Sequence, residues 1–165
     1  MATRRDAGSE LEFATEMINR VVDGIDGVKT GLHICRGNWS TKDEVHLSGD
    51  YEPLTAALSE LRVNQFVLEY ATPRAGEFGI VGQALNDREI GLGVVNPRIG
   101  IVETVDDIVT RAERALEYYR PENIYLHPDC GFGTFSASCV SDEKTAMEKM
   151  RRIVEARDIL RQRYA

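Results

Sequence analysis

The chain is short of cysteine and has no long apolar run. Its three cysteines, Cys35, Cys130 and Cys139, are an odd number, which excludes a closed disulfide framework within one chain. No apolar stretch approaches the length of a membrane span, and the opening Met1-Ala2-Thr3-Arg4-Arg5-Asp6 lacks the apolar core of a secretory signal. Reduced thiols in the cytoplasm are therefore the expectation, with no membrane partner. Basic excess is missing too: the net charge of −7 argues against a nucleic-acid role, which needs clustered Lys and Arg. The Arg-rich stretch from Arg151-Arg152 to Arg161-Gln162-Arg163 is interleaved with Glu148, Glu155 and Asp158, so it reads as a solvated helix face. No low-complexity linker divides the chain. With 165 residues, there is room for one domain with a real core and not for two of ordinary size.

What is present alternates between helical and strand-like periods. Ser9-Glu10-Leu11-Glu12 reads as a capping box, with Leu11, Phe13-Ala14, Met17-Ile18 and Val21-Val22 recurring at helical spacing until Gly24 and Gly27. Val28 to Cys35 predicts a first strand. Asp50, Pro53 and the series Leu54, Leu58, Leu61 predict an amphipathic helix, and Phe66 to Ala71 a second strand. A short helix is expected near 80–85, a third strand over Ile90 to Val95, and a helix capped at Thr104 that runs to about Tyr119. Ile124 to His127 predicts a fourth strand, and a long helix runs from Ser141-Asp142 to about Arg163. Strands separated by helices imply a parallel α/β sheet. Four βα units are half of an eightfold TIM-type barrel, and four strands with both edges bare make a weak design for a complete domain.

Candidate chemistry gathers at strand ends, where parallel α/β folds place their sites. His33 and Cys35 stand two apart on the first strand and so share a face. Glu69 closes the second strand, and Cys130 follows the fourth. Together they make a tetrahedral zinc site plausible. Each also has a plain structural reading: a strand His is commonly a hydrogen-bonded core residue, a buried Cys a small hydrophobe, and a strand-end Glu a loop carboxylate. His46, in the polar run Thr41-Lys42-Asp43-Glu44-Val45, reads as exposed loop. His127 is a competing imidazole that could face the same rim, and Cys139 has no partner ligand nearby in sequence.

These segments resemble the cobalamin-independent methionine synthase family, in the C-terminal catalytic barrel and its shorter single-barrel relatives. The resemblance rests on Leu32-His33-Ile34-Cys35-Arg36-Gly37-Asn38, Leu68-Glu69-Tyr70, Gly91-Leu92-Gly93-Val94-Val95-Asn96-Pro97-Arg98 and Pro128-Asp129-Cys130-Gly131-Phe132. It covers nearly the whole chain but only the second half of the family's barrel. It implies an α/β fold, a partial (β/α)8 TIM-type barrel of about four βα units forming a single domain over 1–165, with Zn²⁺ held by His33, Cys35, Glu69 and Cys130. The implied reaction moves a methyl group from methyltetrahydrofolate (polyglutamate) to the thiol of homocysteine, giving methionine.

That ligand set suits a thiol activator. Two thiolates and one carboxylate against Zn²⁺ leave a net charge of about −1, by ligand counting. Exchanging the carboxylate for an incoming thiolate keeps that charge, so Glu69 is the ligand expected to yield its place. Asn38 and Asp129 are candidates to orient the ligands through hydrogen bonds. Asn96 and Arg98 could meet an anionic substrate, although Asn-Pro more simply makes a turn. Trp39, Tyr70 and Phe132, near the rim, could line a pocket or simply pack, and packing is the plainer reading. The family's first-half elements, including an Asp-Glu-Pro strand end that grips the amino-acid substrate, have no counterpart before His33. A complementing half-barrel chain, or self-association, is the expected remedy, with the complementing chain preferred. The alternative readings are a zinc thiol alkyltransferase of the epoxyalkane:coenzyme M type and a non-catalytic zinc-binding module.

Overall fold

A computed structural model describes residues 6–164. The opening residues read above for the lack of a secretory signal, 1–5, lie outside them. Helix α1 (Ala7–Val22) begins one turn earlier than its expected box: the Asp6 carboxylate accepts from Ser9 N at 3.1 Å, which puts Ser9 inside the first turn. Strand β1 (Gly31–Ile34) follows. The helix expected around Pro53 divides into a 3₁₀ turn (Glu52–Leu54) and the short α2 (Thr55–Ser59). Then come β2 (Gln65–Leu68), α3 (Phe78–Ala84), β3 (Glu89–Val95), α4 (Val105–Ala115) and β4 (Ile124–Pro128). An exposed hairpin, β5 (Gly133–Phe135) with β6 (Ser138–Cys139), precedes the long α5 (Glu143–Tyr164).

Helix starts follow local chemistry. Thr104 and Asp107 bond reciprocally at the head of α4, a complete capping box. Asp142 accepts from Thr145 N at 2.9 Å at the head of α5. α4 ends at Ala115, four residues short of expectation, because the chain turns there and Tyr119 instead donates its hydroxyl to Leu85 O at 3.0 Å. β2 stops at Leu68 rather than Ala71 for an equally specific reason. The N–H groups of Glu69, Tyr70 and Ala71 are taken by the side chains of Tyr51 and Asp129, not by a neighbouring strand.

The four long strands form one parallel sheet in the order β1-β2-β3-β4. In register, Leu32, Phe66, Ile90 and Ile124 make one row, and His33, Val67, Gly91 and Tyr125 the next. Alternation therefore gives the sheet two unlike faces. Phe66, Leu68, Ile90, Leu92 and Val94 pack with Leu58, Val81, Ile108, Ala112 and Ile153 of the helices. The opposite face, carrying His33, Val67 and Tyr125, is more open: His33 and Tyr125 are exposed and Val67 half-buried. Among the described residues, the outer edges of β1 and β4 are unpaired. No described helix is long and apolar enough to cross a membrane.

A last element reaches from α5 back toward the rim. Lys149 is fully buried and donates to Asn96 O at 3.0 Å, to Ile101 O and to Glu103 Oε2 at 2.8 Å. Glu103 Oε1 in turn accepts from Asn96 N at 2.7 Å. A buried ion pair thus shapes the loop that follows β3, where a lone ammonium would be strongly disfavoured.

Candidate metal centre

The rim at the strand C-termini gathers four side chains from three strands. His33, on β1, pairs its Nδ1 with Val67 O at 2.9 Å. In the neutral ring, a carbonyl partner puts the proton on Nδ1 and the lone pair on Nε2. Cys35 stands just past the end of β1, its Sγ accepting from Gly37 N at 3.2 Å. Glu69 stands just past β2 and is 1% exposed. Cys130 follows β4 with φ +55°, an unusual conformation for a residue with a side chain.

One ligating atom from each of His33, Cys35, Glu69 and Cys130 lies within 4.8 Å of the others. Cys130 Sγ is 2.8 Å from Cys35 Sγ, 2.7 Å from Glu69 Oε1 and 3.6 Å from His33 Nε2. Burial, with the Cys35 and Glu69 contacts, pushes the Cys130 thiol far above its ordinary value. A bound divalent cation supplies the charge that reverses this. Glu69 Oε1 also accepts from Arg36 N at 3.3 Å, whereas Oε2 is buried with no hydrogen-bond partner. An orphaned carboxylate oxygen beside two thiols and an imidazole lone pair is a donor set that fits a tetrahedral metal ion such as zinc.

The residues behind the ligands are tightly bonded. Asp129, 1% exposed, accepts from Tyr70 N at 3.0 Å and Ala71 N at 3.1 Å, and Arg98 Nη2 lies 3.9 Å away. It thus ties the chain that follows Glu69 to the residue that precedes Cys130. Burial raises its carboxyl to about 7, against the lowering effect of those N–H groups and Arg98. Gly93 makes this seat possible, since a Cβ there would fall 2.0 Å from Asp129 Oδ1. Asn38 donates from Nδ2 to Gly131 O at 2.7 Å, linking the loops that follow Cys35 and Cys130.

Asn96 and Arg98 are buried rather than presented to solvent. Asn96 Oδ1 accepts from Arg98 N at 3.0 Å, the turn expected of Asn-Pro, and Arg98 Nη1 reaches Gly37 O at 3.2 Å. His127 pairs Nδ1 with Pro128 O at 2.6 Å and lies edge-on to His33 at 6.5 Å, outside the four-atom cluster. Burial holds its pKa below the usual imidazole value. Cys139 is exposed on the hairpin. Tyr70 packs on Tyr51 and Phe78, Phe132 is half-buried, and Trp39 is about half exposed.

The exposed-loop expectation for His46 is overturned: it is 7% exposed and packs against Trp39, ring centroids 5.2 Å apart. Leu47 N donates to Arg36 O at 2.9 Å, folding the segment onto the loop after Cys35. Gly37 (φ +110°) leaves the space, because a Cβ there would come within 2.4 Å of Trp39 and 2.9 Å of His46. Local polarity of the 41–45 run carried no sign of that contact. Sequence reasoning also passed over Tyr51, whose hydroxyl bonds both main-chain groups of Glu69. Its place in a short apolar helix pattern gave no signal beyond core packing.

Comparison with known proteins finds relatives in sequence and in fold. Residues 27–156 match the model of the cobalamin-independent synthase catalytic domain. A methionine synthase of Pyrococcus abyssi is 37% identical over 155 residues, covering 92% of this chain and 39% of that protein. One from Thermococcus kodakarensis is 31% identical over 156 residues, covering 94% and 40%. The B12-independent methionine synthase of Shewanella sp. W3-18-1, solved with selenomethionine, superposes with TM-score 0.80 at 16% identity, over 96% of this chain and 46% of that one. The chain therefore spans about two-fifths of the length of these curated relatives. It belongs to the cobalamin-independent methionine synthase family, within the catalytic domain.

Proposed function

We propose that His33, Cys35, Glu69 and Cys130 hold one Zn²⁺ and that the centre activates the thiol of homocysteine to receive a methyl group from methyltetrahydrofolate, giving methionine. The observation that carries this reading is the convergence of four ligating atoms within 4.8 Å of one another, one of them from a carboxylate whose Oε2 is buried without a hydrogen-bond partner. Zinc in such a site lowers the pKa of a bound thiol so that it is a thiolate near neutral pH. His33, fixed by Val67 O, and the two cysteines form the permanent set. Glu69 has a second hydrogen-bond donor beside it, Arg36 N, and is the ligand that gives way to substrate at constant charge. Asp129 and Asn38 hold the turn that carries Cys130 and the loop that follows Cys35.

The same proposal extends to architecture. The four βα units over 1–165 are read as one domain and the C-terminal half of a TIM-type barrel; among the described residues the outer edges of β1 and β4 are unpaired and His33 and Tyr125 on one face are exposed, which supports that reading. Four more parallel strands close such a sheet. They come from a first half-barrel, which also supplies the remaining contacts to homocysteine and the folate. The relatives have the length for it, since they exceed this chain more than twofold. Reduced thiols at the centre suit the cytoplasm.

The test is a thiol panel on the zinc-loaded protein, alone and together with a first half-barrel from a relative. Homocysteine binding with methyl transfer from methyltetrahydrofolate supports the reading. Preference for a different thiol such as coenzyme M moves the centre to another alkyl transfer. Zinc binding without thiol uptake under either condition leaves a metal-binding module.

A further inference from the structure

The hydroxyl of Tyr51 sits directly behind the Glu69 strand end. It accepts from Glu69 N at 3.0 Å and donates to Glu69 O at 3.4 Å. Tyr51 is 2% exposed, so both of these bonds are sheltered from water. A neutral phenol can donate and accept at once, which is what a main-chain N–H and C=O pair requires. The ring meanwhile lies under the Arg36 guanidinium, 4.5 Å from the ring centroid, and that guanidinium is tied to Gly49 O and Arg74 O. Arg36 N is the donor to Glu69 Oε1. One side chain therefore borders both the main chain that carries Glu69 and the side chain of Arg36, the residue whose amide the Glu69 carboxylate accepts from.

We propose that Tyr51 is a positioning residue of the metal centre, which holds Glu69 in its ligating arrangement and so sets how readily a thiol replaces it. The inference rests on the exchange role of Glu69 proposed above. Without the hydroxyl, two buried main-chain groups of Glu69 lose their partner, the strand end relaxes, and the carboxylate competes less well for the metal. Metal affinity then falls, while a thiol that displaces Glu69 binds more tightly. General damage to the site has a different signature, since it weakens metal and thiol binding together. One neutral hydrogen-bonding group sets the scale, roughly two- to tenfold in each constant.

The test is a double-mutant cycle on the Co²⁺-loaded protein, with wild type, Tyr51→Phe, Glu69→Ala and the double variant. Phe keeps the ring and its contact with Arg36. Homocysteine uptake is read from thiolate-to-cobalt absorption, and metal affinity from competition with a chelator. Tyr51→Phe is expected to tighten homocysteine binding and loosen the metal, each roughly two- to tenfold. In the Glu69→Ala background the same change is expected to do neither. Unchanged or weakened homocysteine binding in Tyr51→Phe, or equal shifts in both backgrounds, overturns the inference. If no protein in the cycle takes up homocysteine, either alone or together with a first half-barrel from a relative, the exchange role of Glu69 fails on its own. The metal-affinity arm still decides on Tyr51, and an unchanged chelator constant in Tyr51→Phe overturns it.

Discussion

Gly93→Ala adds one methyl group at the position where the structure has least room for it. The new Cβ would stand 2.0 Å from Asp129 Oδ1, 3.0 Å from Leu68 O and 3.1 Å from the Glu69 Cα. Real Cβ contacts essentially never fall below 3.0 Å, so the Asp129 carboxylate must retreat by the difference, about 1 Å. Its bonds to Tyr70 N and Ala71 N begin at 3.0 and 3.1 Å, and such a retreat breaks or badly weakens them. Overpacking in a buried site costs about 1–3 kcal/mol. Each hydrogen bond to this carboxyl adds roughly 0.5–1.5 kcal/mol if lost outright. Partial relaxation brings the expected total to about 2–4 kcal/mol, a fall in Tm of roughly 5–15 °C for a chain of this size. Metal affinity falls with it, because Asp129 immediately precedes Cys130. Thermal unfolding and chelator competition measure the two effects. In an Asp129→Ala background the same methyl should cost far less, the clashing oxygen being gone. Gly93 is not at positive φ, so Ala there would otherwise stabilise by limiting the unfolded chain, by about 0.4–1 kcal/mol. A Gly93→Ala protein as stable as wild type, with the same metal affinity, would refute the packing argument.

Further outcomes follow from the same contacts. Cys130→Ser should lose the metal, whereas Glu69→Gln should retain more of it, because the carboxylate is the exchangeable ligand; equal loss in chelator titrations would contradict the assignment. Lys149→Met leaves Glu103 buried without its cation and strips partners from Asn96 O and Ile101 O, so chemical denaturation should show a loss of about 3–5 kcal/mol. Full stability in that variant would show that the loop after β3 does not depend on α5. At the head of α4, the Thr104 bonds hold the Asp107 carboxyl below its ordinary value. The stability it contributes is present above the unfolded-state pKa and is lost as pH falls through the lower folded value. Asp107→Asn should therefore flatten the acid limb of the stability–pH curve, and an unchanged limb would count against the capping box.

The order of elements was legible because each helix and strand carries its own period, from the Leu58 and Leu61 pair to the Ile90–Val95 run. Strand ends were less so. The second strand reads as strand through Ala71, yet the last three N–H groups of that stretch go to Tyr51 and Asp129, partners 18 and 59 residues away in the case of Glu69 and Tyr70. The hairpin over 133–139 is exposed throughout and has no apolar alternation to announce it. The four ligand positions could be picked out because parallel strands deliver their ends to one rim. What linear order could not show was how Cys130 arrives there, through a left-handed turn braced by Asp129 over a glycine. His46 misled for the same reason, since its burial is created by Gly37 and Trp39 rather than by its polar neighbours.

The most direct measurement of the centre is the metal content of the purified, reduced protein, determined by elemental analysis alongside Cys130→Ser. Close to one equivalent of zinc per chain, falling toward none in the variant, is the expected result. A folded, reduced protein without bound zinc, or one whose zinc survives the loss of Cys130, would contradict a centre built from His33, Cys35, Glu69 and Cys130.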